Sequence, residues 1–392
     1  MKRFLVVTSL LLALNNAFAD NDIDAILSQV AQNNLTLKAL KHEGEAQVQD
    51  LKAANVLGGP SVEYSPFFKK AYGGVAESEL VVSEEIEFPT KYAARRKQAS
   101  LHRETTEQSY NKERRDILLR AKLLCLDMIR VNQTVGMLQQ RMEGSNTLKQ
   151  MYEKRMEAGD ANILELNKVD LDRMETGMLL SEMQNERLLL LQQLQELNGG
   201  KPIDVQMTDF PEEDPVGDYD TFARLALLSD ADIQTAEASL RSAMHDVSIA
   251  RKEWLPNITM GYRRNTELQE QVNGILVGVS FPVMGNGNKV RAARNRQKSA
   301  ELQVEQLRLE KETALRSCYQ QLVGLQQVLD HSDVKMMQET LGLLSKALQH
   351  GEISALQYYT EINSIYEKLQ RHIDVHCQSA KLMAELKKHE LH

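Results

Sequence analysis

Cysteine, proline and aromatic residues are all scarce in this 392-residue chain. The 3 cysteines, Cys125, Cys318 and Cys377, are too few and odd in number for a disulfide framework. Each sits in a helical pattern among apolar neighbours, which reads as a small core residue rather than a ligand. Only 8 prolines and 5% aromatics accompany abundant Leu, Met, Gln, Glu, Lys and Arg, a mix that excludes a compact sandwich and favours long helices. Beyond the first residues no stretch approaches about 18 consecutive apolar residues, so any membrane crossing must use strands. Positive charge is also in deficit. Without Lys2 and Arg3, the 47 basic residues fall to 45 against 55 acidic ones, a net charge of −10 that argues against nucleic-acid binding.

Catalytic signatures are missing as well. There is no phosphate-binding glycine loop, nucleophile elbow or carboxylate pair, and no cofactor motif. His372 and His376 share a helix face, but no acidic base lies between them as in a zinc protease, and the expectation is solvated or core histidines with no metal site. The chain reads as a non-enzyme.

What is present begins with a leader. Lys2 and Arg3 precede an apolar core from Phe4 to Leu14, and Ala17-Phe18-Ala19 fits a cleavage site, so residues 1–19 read as a signal peptide of a bacterial envelope protein. Asp20, not Cys, follows the cut, and no lipid anchor is expected there.

The rest divides into two similar halves. The first, residues 20–200, opens with a helical pattern from Asp22 to Leu57 that Gly58-Gly59-Pro60 stops. A hairpin over 61–88 follows, with Leu80, Val82, Ile86 and Phe88 alternating on one face and Glu84 as the exception. A helix then runs from Thr90 to about Met156. At about 1.5 Å per residue it spans roughly 100 Å. Ile117, Ala121, Leu124, Met128, Val131, Val135, Leu138 and Met142 step by fours and threes, a coiled-coil seam. Ser145 and Lys149 break it, and Tyr152 and Met156 resume it. A turn at 157–162 leads into a second helix, Ile163 to Leu197, completing a helical hairpin.

Residues 201–218, with Pro202, Pro211 and Pro215, read as an irregular connector. The second half, residues 219–392, repeats the plan. It has a helix to Trp254 and a hairpin over 257–282, with a polar loop from Arg264 to Gln271. A turn at Gly285-Asn286-Gly287-Asn288 precedes a long helix to Gln349. Leu315, Cys318, Leu322, Leu325 and Leu329 form its seam. A turn at His350-Gly351-Glu352 and a last helix follow. Gly351 lies 192 residues after Gly159.

Four strands per chain cannot close a barrel, and lipid does not tolerate an open sheet edge. The strand lengths and single apolar faces suit an outer-membrane barrel. The expected fold class is therefore mainly α with a small β part. Duplicated long helical hairpins form an α-barrel, and four strands per chain contribute to a trimeric transmembrane β-barrel of about twelve strands.

The leader, the duplication, the two Phe-Pro junctions and the two Gly turns resemble the outer membrane efflux protein family, the TolC-like factors. The junction segments SEEIEFPTKYAARR and VGVSFPVMGNGNKVRAARNR are closest to its CzcC-like heavy-metal efflux branch. The resemblance implies a passive channel-tunnel in the cell outer membrane with a periplasmic helical tunnel. It implies a homotrimer in outer-membrane lipid that docks to a periplasmic adaptor protein and an inner-membrane pump, for export of small solutes, heavy-metal cations among them. The docking tips would be Gly159, Asp160, Ala161, Leu164, Gly351, Glu352, Ser354 and Leu356. Phe88, Pro89, Phe281 and Pro282 would mark the joint between barrel and tunnel. Relatives carry acidic rings a turn after the second tip glycine, where this chain has Gln357 and Thr360. The acids available for a lumen gate are Asp160, Glu165, Glu352 and Glu361. The plainer reading of these is helix-cap and solvent-face charge, with Asp160 and Glu352 at helix N-termini. Two competing functions remain: the exit duct of a type I protein secretion system, and a soluble periplasmic coiled-coil scaffold.

Overall fold

The computed structural model describes residues 22–69, 73–267, 270–282 and 286–391. The expected signal peptide lies outside them. The first half contains α1 (Ile23–Asn33), α2 (Leu35–Ala53), β1 (Ser61–Lys69), β2 (Gly74–Glu87), α3 (Pro89–Glu157) and α4 (Ile163–Leu197). The second contains α5 (Tyr219–Ser229), α6 (Ala231–Lys252), β3 (Asn257–Glu267), β4 (Glu270–Ser280), α7 (Asn286–Asp330), α8 (Val334–Gln349) and α9 (Ala355–Leu386), closed by a 3-10 turn at Lys387–Glu390.

Three helices that the apolar periodicity joins are divided. The first breaks at Asn34, whose side-chain amide donates to the carbonyl of Leu197 (2.8 Å). The opening helix of the second half breaks at Asp230, whose carboxylate accepts from the backbone N–H of Asp232 (2.9 Å) and Ile233 (3.0 Å). The long helix ending at Gln349 breaks at 331–333, where Asp333 caps α8 by accepting from Met336 N (2.8 Å). At Asp230 and Asp333 a short polar side chain satisfies backbone N–H groups that an uninterrupted helix would use itself, while Asn34 caps the end of α4 instead. Two further expectations change. Much of the polar stretch 264–271 is strand, because Asn265, Thr266 and Glu267 continue their pairing with Glu79, Ser78 and Glu77. Asn286, Gly287 and Asn288 are the first turn of α7 rather than a turn before it.

The chain divides into two compact units that cut across the repeats. One takes residues 22–35, 117–215 and 319–388. The other takes 36–116, 216–318 and 389–392.

In the first unit, the stretch of α3 from Ile117 to Thr134 is buried on several faces at once. Leu118, Ala121, Cys125, Leu126, Met128, Ile129 and Val131 are almost fully enclosed, with Val30, Leu194 and Leu386 equally so. Each fully buried Leu, Ile or Met contributes about 1.5–3 kcal/mol. Beyond Leu138 the buried line runs through Arg141, Ser145, Leu148 and Tyr152, so Tyr152 keeps its expected place while Met142 and Met156 do not. Steps of three and four persist, and Ser145 belongs to the seam instead of breaking it. The connector is irregular but fixed. Asn132 donates to the carbonyls of Val205 (3.2 Å) and Met207 (2.9 Å), and Val205 is fully buried. Cys125 and Cys377 are buried free thiols in this unit, as expected of small core residues.

In the second unit the four strands form one antiparallel sheet in the order β1-β2-β3-β4. Its register lines up the apolar positions across the sheet. Val62, Val82, Tyr262 and Ile275 form one row, Glu84, Met260 and Val277 another, and Ile86, Ile258 and Val279 a third. These residues share a face because strand side chains alternate. The face is open: Ile275 is 87% exposed, and Val62, Met260, Val277 and Val279 are exposed too. The opposite face is polar, with Arg263 paired to Glu79 across β2 and β3. The outer strands β1 and β4 each have a partner on one side only. Among the described residues no helix is long and apolar enough to cross a membrane.

Candidate functional site

Two regions carry the expected functional residues. The first is the joint between sheet and helix. Pro89 is the first residue of α3, a position where its missing N–H costs nothing. Phe88 supplies the carbonyl that accepts from Lys91 N (2.8 Å). Lys91 is buried and its ammonium donates to Asn257 Oδ1 (3.0 Å) at the start of β3. Asn257 in turn donates to Glu85 (2.8 Å), and Arg95 pairs with Glu87 (2.8 Å). Thus Lys91 and Arg95 tie the helix start to the strand ends. The second joint is built differently. Phe281 and Pro282 follow β4 as exposed, non-helical residues, so Pro282 does not open α7.

The second region is the pair of helical tips. Gly159 and Gly351 have φ of +79° and +74°, the left-handed region that favours glycine. The N–H of Gly159 reaches Met156 O (3.0 Å) and that of Asp160 reaches Arg155 O (2.8 Å). Gly351 and Glu352 repeat this pattern on Leu348 O (3.1 Å) and Ala347 O (2.9 Å). Three residues on, Asn162 with Glu165 and Ser354 with Gln357 each form a capping box. The N-caps are therefore Asn162 and Ser354. Asp160 and Glu352 lie outside the helices and are exposed, which corrects the capping role expected of them. Glu165 is engaged, accepting from Asn162 N (3.1 Å). Glu361 is exposed on α9.

Both tips rest on one core of Leu148, Tyr152, Val169, Leu348, Ala355, Tyr358, Tyr359 and Ile362. Ala161 packs against that core, so of the expected docking residues it faces inward. Leu164 and Leu356 do the opposite, at 73% and 70% exposed. Burial pushes the Tyr358 hydroxyl up to about 12, and the Tyr359 hydroxyl rises for the same reason.

One cluster in the same unit is absent from the sequence reading. Asp172 of α4, 4% exposed, pairs with Arg141 of α3, 8% exposed, and accepts from Ser145 (2.5 Å). Arg141 also donates to Asn363 of α9 (2.6 Å) and stacks over the Tyr366 ring at 4.9 Å. A single guanidinium thereby joins three helices. The sequence signal was the polar Ser145 in the apolar seam, which marks the layer where a partner is required.

The histidines are partly buried. His372 bonds Ser332 Oγ (2.9 Å), and His376 lies against Phe210 with ring centroids 4.5 Å apart. Burial lowers the pKa of both imidazoles, and for His376 the neighbouring His372 adds to it. Among the described residues no group of three or more His, Cys, Asp or Glu is placed to hold a metal.

With this geometry in hand, comparison with known proteins is informative. Residues 223–388 match the outer membrane efflux protein family. No curated protein matches the sequence. Solved structures match over nearly the whole chain. A membrane protein from Pseudomonas aeruginosa has a TM-score of 0.78 at 14% identity, covering 94% of this chain and 89% of its own. The Campylobacter jejuni outer membrane channel CmeC gives 0.77 at 13% identity, covering 94% and 85%. The Vibrio cholerae outer membrane protein VceC gives 0.74 at 14% identity, covering 94% and 95%. The fold is thus that of the TolC-like outer-membrane channels. The family match covers less than half of the chain, and over residues 223–388 the sequence is similar to the outer membrane efflux proteins.

Proposed function

We propose that this chain is one subunit of a trimeric channel-tunnel that exports small solutes across the outer membrane. The observation that carries this reading is the sheet. It presents an exposed apolar face and has unpaired edges at β1 and β4. Such edges persist in lipid only if another chain pairs them. In a ring of copies, β4 of one would run antiparallel to β1 of the next, and three copies would close about twelve strands. A soluble scaffold has no use for this face.

A second feature supports self-assembly. On α4, Leu164, Leu171, Met174 and Met178 are exposed, at spacings of seven, three and four. That is a coiled-coil seam left uncovered among the described residues. The tips, with exposed Leu164 and Leu356, fit a periplasmic adaptor linked to an inner-membrane pump. The exposed acids Asp160, Glu352 and Glu361 stand in the neighbourhood of the tips, where they would concentrate cations at an entrance. The joint segments that resemble the heavy-metal branch support metal cations as cargo. Glu165, held in its capping box, serves the helix rather than a gate.

Deleting the gene and measuring tolerance to copper, zinc, cobalt and a panel of organic drugs tests the cargo. Lowered metal tolerance is expected. Unchanged metal and drug tolerance, together with loss of a secreted protein, would favour the type I duct instead.

A further inference from the structure

His372 and His376 are the only histidines one turn apart on a helix among the described residues, and each of three cavities is lined by one or both of them. The central one, about 390 Å³, lies between α3, the connector, α8 and α9. Both imidazoles line it, together with Met137, Gln133, Thr208 and Gln338. Their ring centroids are 5.9 Å apart. Residues four apart on a helix face the same way, so two imidazoles at this spacing can close on one ion.

The surroundings also favour ligation. His372 Nδ1 is fixed by Ser332 at the break between α7 and α8. In the tautomer whose Nδ1–H donates to that hydroxyl, the Nε2 lone pair is free. Metal-binding histidines are usually held in this way, by a partner on the far nitrogen. His376 is held through its ring face by Phe210, and among the described residues no hydrogen bond engages its nitrogens.

We infer that His372 and His376 form a two-imidazole site for a late divalent transition metal, Cu²⁺, Ni²⁺ or Zn²⁺, in the cavity between α3, α8 and α9. Two nitrogens, with no carboxylate lining the central cavity, select such ions over Mg²⁺ or Ca²⁺. With two protein ligands and water completing the shell, the site exchanges its ion instead of locking it in place. The inference does not depend on what the channel carries, because binding is read on the purified protein without transport.

The test is calorimetric titration of the tag-free mature protein in detergent with each metal salt. One Cu²⁺ per chain is expected. His372→Ala and His376→Ala should each weaken binding by about tenfold or more, while Ser332→Ala should weaken it less. His350→Ala, at the second tip, serves as the unchanged control. Electron paramagnetic resonance of the Cu²⁺ complex provides a check that needs no variant, with couplings from two imidazole nitrogens expected. Absence of binding, or binding that survives both His372→Ala and His376→Ala, or a spectrum without nitrogen coupling, would overturn the assignment.

Discussion

Arg141 shows how one side chain can decide the register of three helices. Its charge is enclosed with that of Asp172, and removing one member of such a pair leaves the other buried without compensation. Arg141→Ala is expected to lower stability by about 3–5 kcal/mol, whereas the double variant Arg141→Met with Asp172→Leu should recover much of that loss. Thermal unfolding of the two proteins measures the difference. In the second unit, Asp232 and Lys311 give a pH dependence of known sign. Burial pushes the Asp232 carboxyl up, but Lys311 and Lys112 outweigh it and hold the carboxyl below its usual range. Burial likewise depresses the Lys311 ammonium, but Asp232 and Asp230 outweigh it and raise it above its ordinary 10.5. A lowered carboxyl stabilises above its unfolded pKa and stops doing so as pH falls through its folded one. A raised ammonium stabilises below its unfolded pKa and stops doing so as pH rises through its folded one. The melting temperature should therefore hold between about pH 5 and 9, fall in acid below about 4 and fall in base above about 10.5. Asp232→Asn should flatten both limbs in a melting series across pH.

The tips are built from elements that the sequence displays openly. Gly159 and Gly351 end their helices in the left-handed region, and nothing crowds a Cβ built on Gly159. The cost of Gly159→Ala is therefore backbone strain of about 1–2 kcal/mol, and Gly159→Asn should cost less. Chemical unfolding gives the stability, and pull-down of a periplasmic adaptor gives the docking. A charged or bulky side chain introduced at either glycine should abolish docking while oligomers persist, and unchanged efflux in such variants would refute the tips as the docking surface. The glycine turns, the hairpins and α3 and α4 were legible because each carries a local signal: positive-φ glycines, period-two alternation, and a seam of threes and fours. The breaks at Asn34, Asp230 and 331–333 were not, because apolar periodicity continues across them and a single capping side chain makes the interruption. The ends of β3 and β4 were read as loop because Arg264, Asn265 and Thr266 are polar, yet sheet pairing extends past the apolar rows. The three-helix link through Arg141 depends on contacts 31 and 222 residues distant, which no local pattern encodes.

At the scale of the molecule, the chain is unfinished as a structure. Its sheet offers an apolar face to its surroundings and two open edges, and α4 offers an apolar stripe. In the proposed trimer, lipid and further copies of the chain would satisfy all three. Ile275 should therefore tolerate charge poorly. Ile275→Lys on the apolar face is expected to cost about 2–4 kcal/mol near mid-bilayer and to block membrane assembly. Thr259→Lys on the polar face should assemble normally, as judged by the amount of protein in outer-membrane fractions. The most direct test of the account is the native mass of the wild-type protein after mild detergent extraction of those fractions. Particles of three chains, absent from the soluble periplasmic extract, are the result predicted. A single chain released into the soluble extract without detergent would contradict it.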